Sequence, residues 1–192
     1  MKQLVFASNN AHKLEEARAI LNEKFIVLSL DDAGFVGELP ETNPSIRENA
    51  VQKMRYYFEA SGKDCFADDT GLEVEALHGK PGVDTAHYSG SRDAAANMNL
   101  LLSNLEGAVS RRARFVTVIA AMVDGHEIVV EGEVWGTIAD AVSGDGGFGY
   151  DPVFMPEGYD QTFAQLPTSV KNTMSHRARA LQLFAAELKR IV

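Results

Sequence analysis

Apolar residues follow two rhythms along this chain, and the points where one gives way to the other mark its elements. Gln3 to Ala7 is a short apolar run that stops at Ser8-Asn9-Asn10, after which Leu14, Ala17, Ile20 and Leu21 recur at helical spacing. Strand, capped turn and helix follow from that order. Phe25 to Leu30 predicts a second strand, and Asp32 to Thr42, with its Gly, Pro and acidic content, a loop. Asn43-Pro44 has the form of an N-cap followed by Pro at the first helical position. Ile46, Ala50, Val51, Met54 and Phe58 then form an apolar stripe that stops at Gly62, so a helix is expected from about 44 to 61.

Cys65 to Ala67 and Leu72 to Ala76 read as two short strands flanking Asp68-Asp69-Thr70-Gly71. His78 to Arg92 is a long Gly-rich polar loop of the kind that is often functional, and Asp93 is placed to cap a helix through Leu105. Phe115 to Val123, Asp124-Gly125, and Glu127 to Ile138 predict a β-hairpin with a two-residue turn. The Gly-rich stretch Ser143 to Gly149 leads to Tyr150-Asp151-Pro152. A last helix is expected over about 175 to 191, with Leu181, Phe184, Leu188 and Ile191 facing inward. Helices interleaved with strands and one antiparallel hairpin imply an α/β fold with a mixed sheet, organised as a single domain over residues 1–192.

Composition narrows the functions available. At 192 residues and 45% hydrophobic the chain can bury a sizeable core, and its charge of 18 − 27 = −9 disfavours nucleic acid and anionic membranes as partners. Small anions remain possible ligands, because helix N-termini and single cations act locally. The lone cysteine, Cys65, lies in an apolar run, suits a buried thiol and fits a reducing compartment. Leu4 to Ala7 is too short an apolar stretch for a signal peptide, and no window has the roughly 18 apolar residues of a membrane span. A cytoplasmic location is expected.

Four segments could carry chemistry. Ser8-Asn9-Asn10-Ala11-His12-Lys13 sits where a strand runs into a helix; it is either a plain N-cap with a solvated Lys or an anion site built from backbone N–H groups and Lys13. Asp68-Asp69, with Glu41 and Glu48 upstream, is either a turn or a set of hard oxygen ligands for a divalent cation such as Mg²⁺. In the third segment, Gly144, Gly146 and Gly149 satisfy G-x-G-x-x-G formally, but Asp151-Pro152 denies it the opening helix a dinucleotide site requires. That loop could instead set Phe148 and Tyr150 against a planar base, or be a flexible loop with one aromatic anchor. The fourth, Lys171-Asn172-Thr173-Met174-Ser175-His176-Arg177, clusters cations at the expected start of the last helix. There they oppose the dipole, and a bound anion would account for them as well as a solvated positive turn would. His78, His87 and His126 lack ligand spacing, Trp135 is expected to be a packing anchor, and there is no P-loop, zinc pair or nucleophile elbow.

In this order the segments closely resemble the inosine triphosphate pyrophosphatase family, the XTP/dITP diphosphohydrolases. The resemblance is carried by Ser8-Asn9-Asn10 with Lys13, Glu41-Thr42 ahead of Glu48-Asn49-Ala50, Ala67-Asp68-Asp69-Thr70-Gly71-Leu72, Pro81-Gly82-Val83, Gly147-Phe148-Gly149-Tyr150-Asp151-Pro152 and Ser175-His176-Arg177. Where the family commonly has Glu-Thr-Gly, this chain reads Glu41-Thr42-Asn43-Pro44. The resemblance implies an elongated mixed sheet with flanking helices, forming two lobes around a central substrate cleft, and a homodimer. It implies Mg²⁺-dependent hydrolysis of ITP, dITP or XTP to the monophosphate and pyrophosphate. By motif position, Ser8, Asn9, Asn10, Ala11, His12 and Lys13 would bind the triphosphate, Asp69 would be general base and metal ligand with Glu41, and Thr70 would touch substrate. Phe148, Gly149, Tyr150 and Asp151 would meet the base, Lys171 would contact substrate, and His176 with Arg177 would help recognise the base.

Overall fold

The two-residue turn at Asp124-Gly125 shows how closely backbone preference and fold agree. Both residues have positive φ, 49° and 79°, the twist that joins two strands into a tight hairpin. In the computed structural model, which describes residues 1–191, this turn joins β5 (Arg112–Val123) to β6 (His126–Ile138). The other strands are β1 (Lys2–Phe6), β2 (Phe25–Leu28), β3 (Cys65–Val74), β4 (Pro81–Gly82) and β7 (Phe154–Pro156). They form one sheet in the order β2-β1-β3-β5-β6-β7, with β4 paired to β3. The sheet is mixed as expected: β1 runs parallel to β2 and β3, while β4 on β3 and β7 on β6 are antiparallel. The helices are α1 (Ala11–Leu21), α2 (Ile46–Ser61), α3 (Ala94–Asn104), α4 (Thr168–Met174) and α5 (His176–Ile191).

Three expectations are corrected. The stretch Cys65 to Val74 is one uninterrupted strand, so Asp68-Asp69-Thr70-Gly71 lies on β3 and is not a turn. Helix α2 is capped by Ser45, not Asn43: the Ser45 hydroxyl accepts the Glu48 N–H and donates to the Glu48 carboxylate at 2.8 Å. The stripe that α2 buries includes Asn49, Lys53 and Tyr57, whereas Val51 and Phe58 are only partly covered. The last helix, α5, spans His176–Ile191 as expected, but a further short helix, α4, precedes it across Ser175, extended at φ −65° and ψ 160°, so Lys171 stands on a different helix from His176 and Arg177. The long loop after His78 carries β4 and a 3₁₀ turn at Thr85–His87.

The chain divides into two compact units. The first comprises Met1–Asp69, Thr117–Gly132 and His176–Val192. Its core joins Leu4 and Phe6 of β1, Phe66 of β3, Ile119 of β5 and Leu181, Phe184 and Leu188 of α5, with Phe6 and Phe66 stacked at 4.6 Å. Helix α1 packs on α5 and on β2. Cys65 is fully buried here, and desolvation pushes its thiol up to about 12. The second unit, Thr70–Val116 and Glu133–Ser175, is built around Leu72, Leu101, Phe115, Phe154 and Phe163. Trp135 lies outside that core, half-buried under the Arg112 guanidinium at 4.5 Å from its ring, so it is not the packing anchor expected.

In the first unit, Gly132 of β6 lets the strand lie directly on the first turn of α5. A Cβ there would collide with the backbone of His176 and Ala180. Gly132→Ala should therefore lower unfolding stability by about 1–3 kcal/mol, the usual cost of overpacking, read as the urea midpoint. An unchanged midpoint would mean that strand and helix separate freely.

Candidate active site

Side chains alternate across a strand, so the continuous β3 turns the neighbouring carboxylates Asp68 and Asp69 to opposite sides. Each meets a different set of cations. Asp68 is buried: its Oδ1 accepts from Lys13 Nζ at 3.0 Å and its Oδ2 from Arg177 Nε at 3.1 Å. The Arg177 Nη1 donates to Glu16 of α1. Burial opposes ionisation of Asp68, but Lys13 and Arg177 outweigh it and hold the carboxyl well below the usual range. Burial, with Arg177 and Lys53 nearby, lowers the Lys13 ammonium, while Asp68 and Glu16 outweigh burial and raise Arg177. The anions that answer the positive start of α5 are thus the chain's own carboxylates, and Arg177 is committed to them.

Asp69 faces Lys53, whose Nζ lies 3.7 Å from Asp69 Oδ1 and also donates to Glu41. Lys53 is buried, yet the pull of Asp69, Asp68 and Glu41 overrides desolvation and raises its pKa. The carboxyl of Asp69 moves the other way from Asp68: burial raises it first, with Glu41 and Asp68 adding repulsion against the attraction of Lys53 and Lys13. A carboxylate held above its ordinary range is suited to accept a proton. Lys53 was missed by the sequence reading, although a signal existed. It stands seven residues after Ile46 and three after Ala50, on the apolar stripe of α2, where a charge is out of place.

The N-terminus of α1 adds the third feature of this unit. Asn10 is the N-cap, its Oδ1 accepting the Lys13 N–H at 3.1 Å, and Ser8 Oγ accepts the Asn10 N–H at 3.3 Å. No acidic residue stands in the first turn, and Asn9, Ala11 and His12 are exposed there. The helix dipole and Lys13 thus act together at an open helix end, an arrangement that favours anionic oxygens.

The second unit gathers a separate cluster. Asp151 is buried and accepts from Lys171 Nζ at 2.7 Å and from the Phe148 backbone N–H at 2.9 Å. The same ammonium lies 4.9 Å from the centre of the half-buried Phe148 ring. Gly147, at φ 70°, permits this closure, because any Cβ would strike the Asp151 carboxylate. Tyr150 is a core residue whose hydroxyl donates to the Thr85 carbonyl at 2.8 Å, and burial raises its pKa. The loop is therefore built around its polar anchors, with Phe148 and Gly149 partly exposed. Thr70 begins this unit, half-buried on β3 next to Asp69.

The residues of the first unit have a donor set suited to a hard divalent cation. Glu41 and Asp69 both reach the Lys53 ammonium, so their oxygens converge on one cation-sized position. Among the described residues no group of three or more His, Cys, Asp or Glu side chains is placed to hold a metal ion, so these two carboxylates are the protein's share of such a site. Two carboxylates with room for water and phosphate are the set Mg²⁺ commonly takes. Asp68, with each oxygen already held by a cation, is poorly placed to share in it.

Mixed sheet, carboxylates on a central strand, buried lysines and an open helix N-terminus define an α/β protein equipped for phosphate chemistry. The chain belongs to the Ham1 family, whose model matches residues 4–187. It is 46% identical over 181 residues to the dITP/XTP pyrophosphatase of Flavobacterium johnsoniae, covering 94% of each chain, and 46% over 183 residues to that of Porphyromonas gingivalis, again 94% of each. Its fold matches the Ham1 protein of Staphylococcus aureus with a TM-score of 0.89 at 38% identity, over 98% of this chain and 99% of that one. The HAM1 protein of Coxiella burnetii gives 0.90 at 32%, over 99% and 100%.

Replacing Arg177 by Met keeps bulk but removes one of the two cations from buried Asp68. Stability should fall by about 3 kcal/mol, the order expected when one partner of a buried ion pair is lost, measured by urea unfolding at neutral pH. An unchanged midpoint would show that Lys13 alone suffices.

Proposed function

We propose that this chain is a nucleoside triphosphate pyrophosphatase that hydrolyses ITP, dITP and XTP to the monophosphate and pyrophosphate with Mg²⁺, clearing these purine nucleotides from the pool. The observation that carries the reading is the Asp69–Lys53–Glu41 array, with Lys13 of α1 near enough to act on Asp69 through its charge, all in one unit. The names of the 46% identical relatives support the substrate class. We place the enzyme in the cytoplasm as a homodimer. No helix among the described residues is long and apolar enough to cross a membrane.

In this reading the segment Ser8 to His12 at the start of α1 and the Lys13 ammonium receive the phosphates, the N–H groups of Ser8 and Asn10 being used within the turn itself. Glu41 and Asp69 would hold Mg²⁺, which neutralises phosphate charge when bound. Asp69 takes the proton of a water whose oxygen forms a bond to the α-phosphorus. The bond from that phosphorus to the bridging oxygen breaks, and pyrophosphate leaves. Arg177 keeps Asp68 and Lys13 in register. Within the second unit the Phe148 ring and Gly149 receive the base, with Lys171 and Asp151 holding their loop. Hypoxanthine and xanthine present a 6-keto acceptor where adenine has an amino donor, so donor groups reject adenine by leaving polar atoms unmatched.

Two measurements test this. Pyrophosphate release from ITP, XTP, dITP, ATP, GTP and dTTP, with and without Mg²⁺, should be strong and Mg²⁺-dependent for the first three and weak for the others; release mainly from dTTP would refute the base assignment. Asp69→Asn should cost about a hundredfold to ten-thousandfold in kcat, the usual worth of a general base, with an unchanged circular dichroism spectrum. An active Asp69→Asn enzyme would remove the base from Asp69.

A further inference from the structure

Between Leu28 and Ile46 the described chain has no helix or strand, yet Glu41, near the end of this segment, must present its carboxylate at a fixed place. A loop of this kind has conformational freedom, and each residue ordered on binding a ligand would cost about 1–2 kcal/mol. The structure removes that freedom with two amide side chains of α2. Gln52 Oε1 accepts the Thr42 N–H at 3.0 Å, and Gln52 Nε2 donates to the Thr42 hydroxyl at 2.8 Å. Asn49 Oδ1 accepts the Asn43 N–H at 2.9 Å, and Asn49 Nδ2 donates to the Asn43 carbonyl at 3.3 Å. The Asn43 side chain closes the set, its Nδ2 donating to Gln52 Oε1 at 2.9 Å.

These contacts amount to a short strand pairing made by side chains. Asn49 engages both backbone groups of one residue, as a partner strand would, and Pro44 biases Asn43 toward the extended backbone that makes both groups available. Asn49 and Gln52 are three positions apart on α2 and so share a face, with Lys53 adjoining. The same face thus grips residues 42 and 43 by hydrogen bonds and residue 41 by its ion pair. Asn49 is buried and Gln52 half-buried; the bonds to Asn43 are partly buried, while the two between Gln52 and Thr42 are exposed.

We propose that Asn49 and Gln52 are positioning residues that hold the Glu41 carboxylate ready for the divalent cation and thereby set the enzyme's affinity for that cation. The proposal rests on Glu41 being a cation ligand, as in the function above. The clamp touches neither substrate nor metal. Its loss should weaken cation binding and leave the chemical step intact once the cation is saturating.

The test compares wild type, Gln52→Met and Asn49→Ala by three readouts. These are the Mg²⁺ dependence of ITP turnover, Mn²⁺ binding to the substrate-free protein by electron paramagnetic resonance, and amide hydrogen exchange at Thr42 and Asn43. In Gln52→Met the half-saturating Mg²⁺ concentration and the Mn²⁺ Kd should both rise about tenfold, kcat at saturating Mg²⁺ should stay within about twofold, and exchange at Thr42 should accelerate about tenfold or more, a change of about 1.4 kcal/mol in each equilibrium. Half-buried Gln52 makes this variant informative even if Asn49→Ala fails to fold. A lowered melting temperature with unchanged Mg²⁺ and Mn²⁺ dependence would overturn the proposal and leave the clamp a purely structural feature. A wild type that neither requires Mg²⁺ nor binds Mn²⁺ would overturn instead the assignment of Glu41 on which it rests, and the proposal with it.

Discussion

The first unit depends on one buried carboxylate. Asp68 lies on β3, Lys13 on α1 and Arg177 on α5, and the two ion pairs tie these three elements at one point. Removing a carboxylate from water costs several kcal/mol, so the arrangement is tolerable only because each oxygen has a cation and Arg177 in turn has Glu16. The four groups sum to +2 − 2 = 0. A balanced buried network of this kind fixes geometry more than it adds stability, and here it fixes Lys13 beside the open end of α1 and the first turn of α5 against β6. The glycine at 132 is the steric counterpart, clearing the space in which α5 can begin.

The second unit solves a similar problem with one ion pair and a glycine. Asp151 is buried with Lys171, and its carboxylate also takes the Phe148 N–H, so a single oxygen holds both a helix and a loop. Only a residue without a side chain can pass at 147, and the φ of 70° there suits glycine for a second reason. The consequence for Phe148 is a ring set on an ammonium and partly exposed, on a loop that its glycines would otherwise leave loose. Tyr150, one residue beyond Gly149, is drawn wholly into the core and anchors the loop through Thr85.

Much of this was legible in the sequence, and the failures share a cause. The Asp93 cap of α3, the hairpin turn and the apolar face of α5 were read correctly because their signals are local: a side chain bonding its own helix end, two residues of positive φ, a 3.6-residue rhythm. Asp68-Asp69-Thr70-Gly71 has the residues of a turn, and only cations brought from positions 13, 53 and 177 allow the strand to continue through it. Helix α4 has seven residues, begins after Pro167 without a side-chain cap and carries no stripe, so nothing announced it. The Ser45 cap with Glu48 three residues on was present but stood next to Asn43-Pro44, which imitates a helix start. Asn43 has another task, holding Gln52. The motif positions 8 to 13, 41, 69, 148 and 171 can be picked out in the sequence, but their partners Lys53, Glu16, Asn49 and Gln52 emerge only from the packing of α1 and α2.

Charge count explains why the side of β3 that bears Asp69 differs from the side that bears Asp68. Glu41, Asp69 and Lys53 sum to −2 + 1 = −1, so this cluster, unlike its neighbour, is short of positive charge. The deficit appears in the Asp69 carboxyl, raised by burial and by two nearby carboxylates that Lys53 and Lys13 only partly offset. A divalent cation would reverse the balance to +1, matched by the negative phosphates it would arrive with. Lys53 does not compete for that role so much as prepare it: one ammonium reaching both carboxylates keeps them converged when no ion is bound, at the cost of an ion pair that phosphate and metal can replace. A site with the Asp68 pattern, balanced and closed, would have no reason to take a metal. The pleat of a single strand therefore divides two identical side chains into a structural carboxylate and a chemically available one.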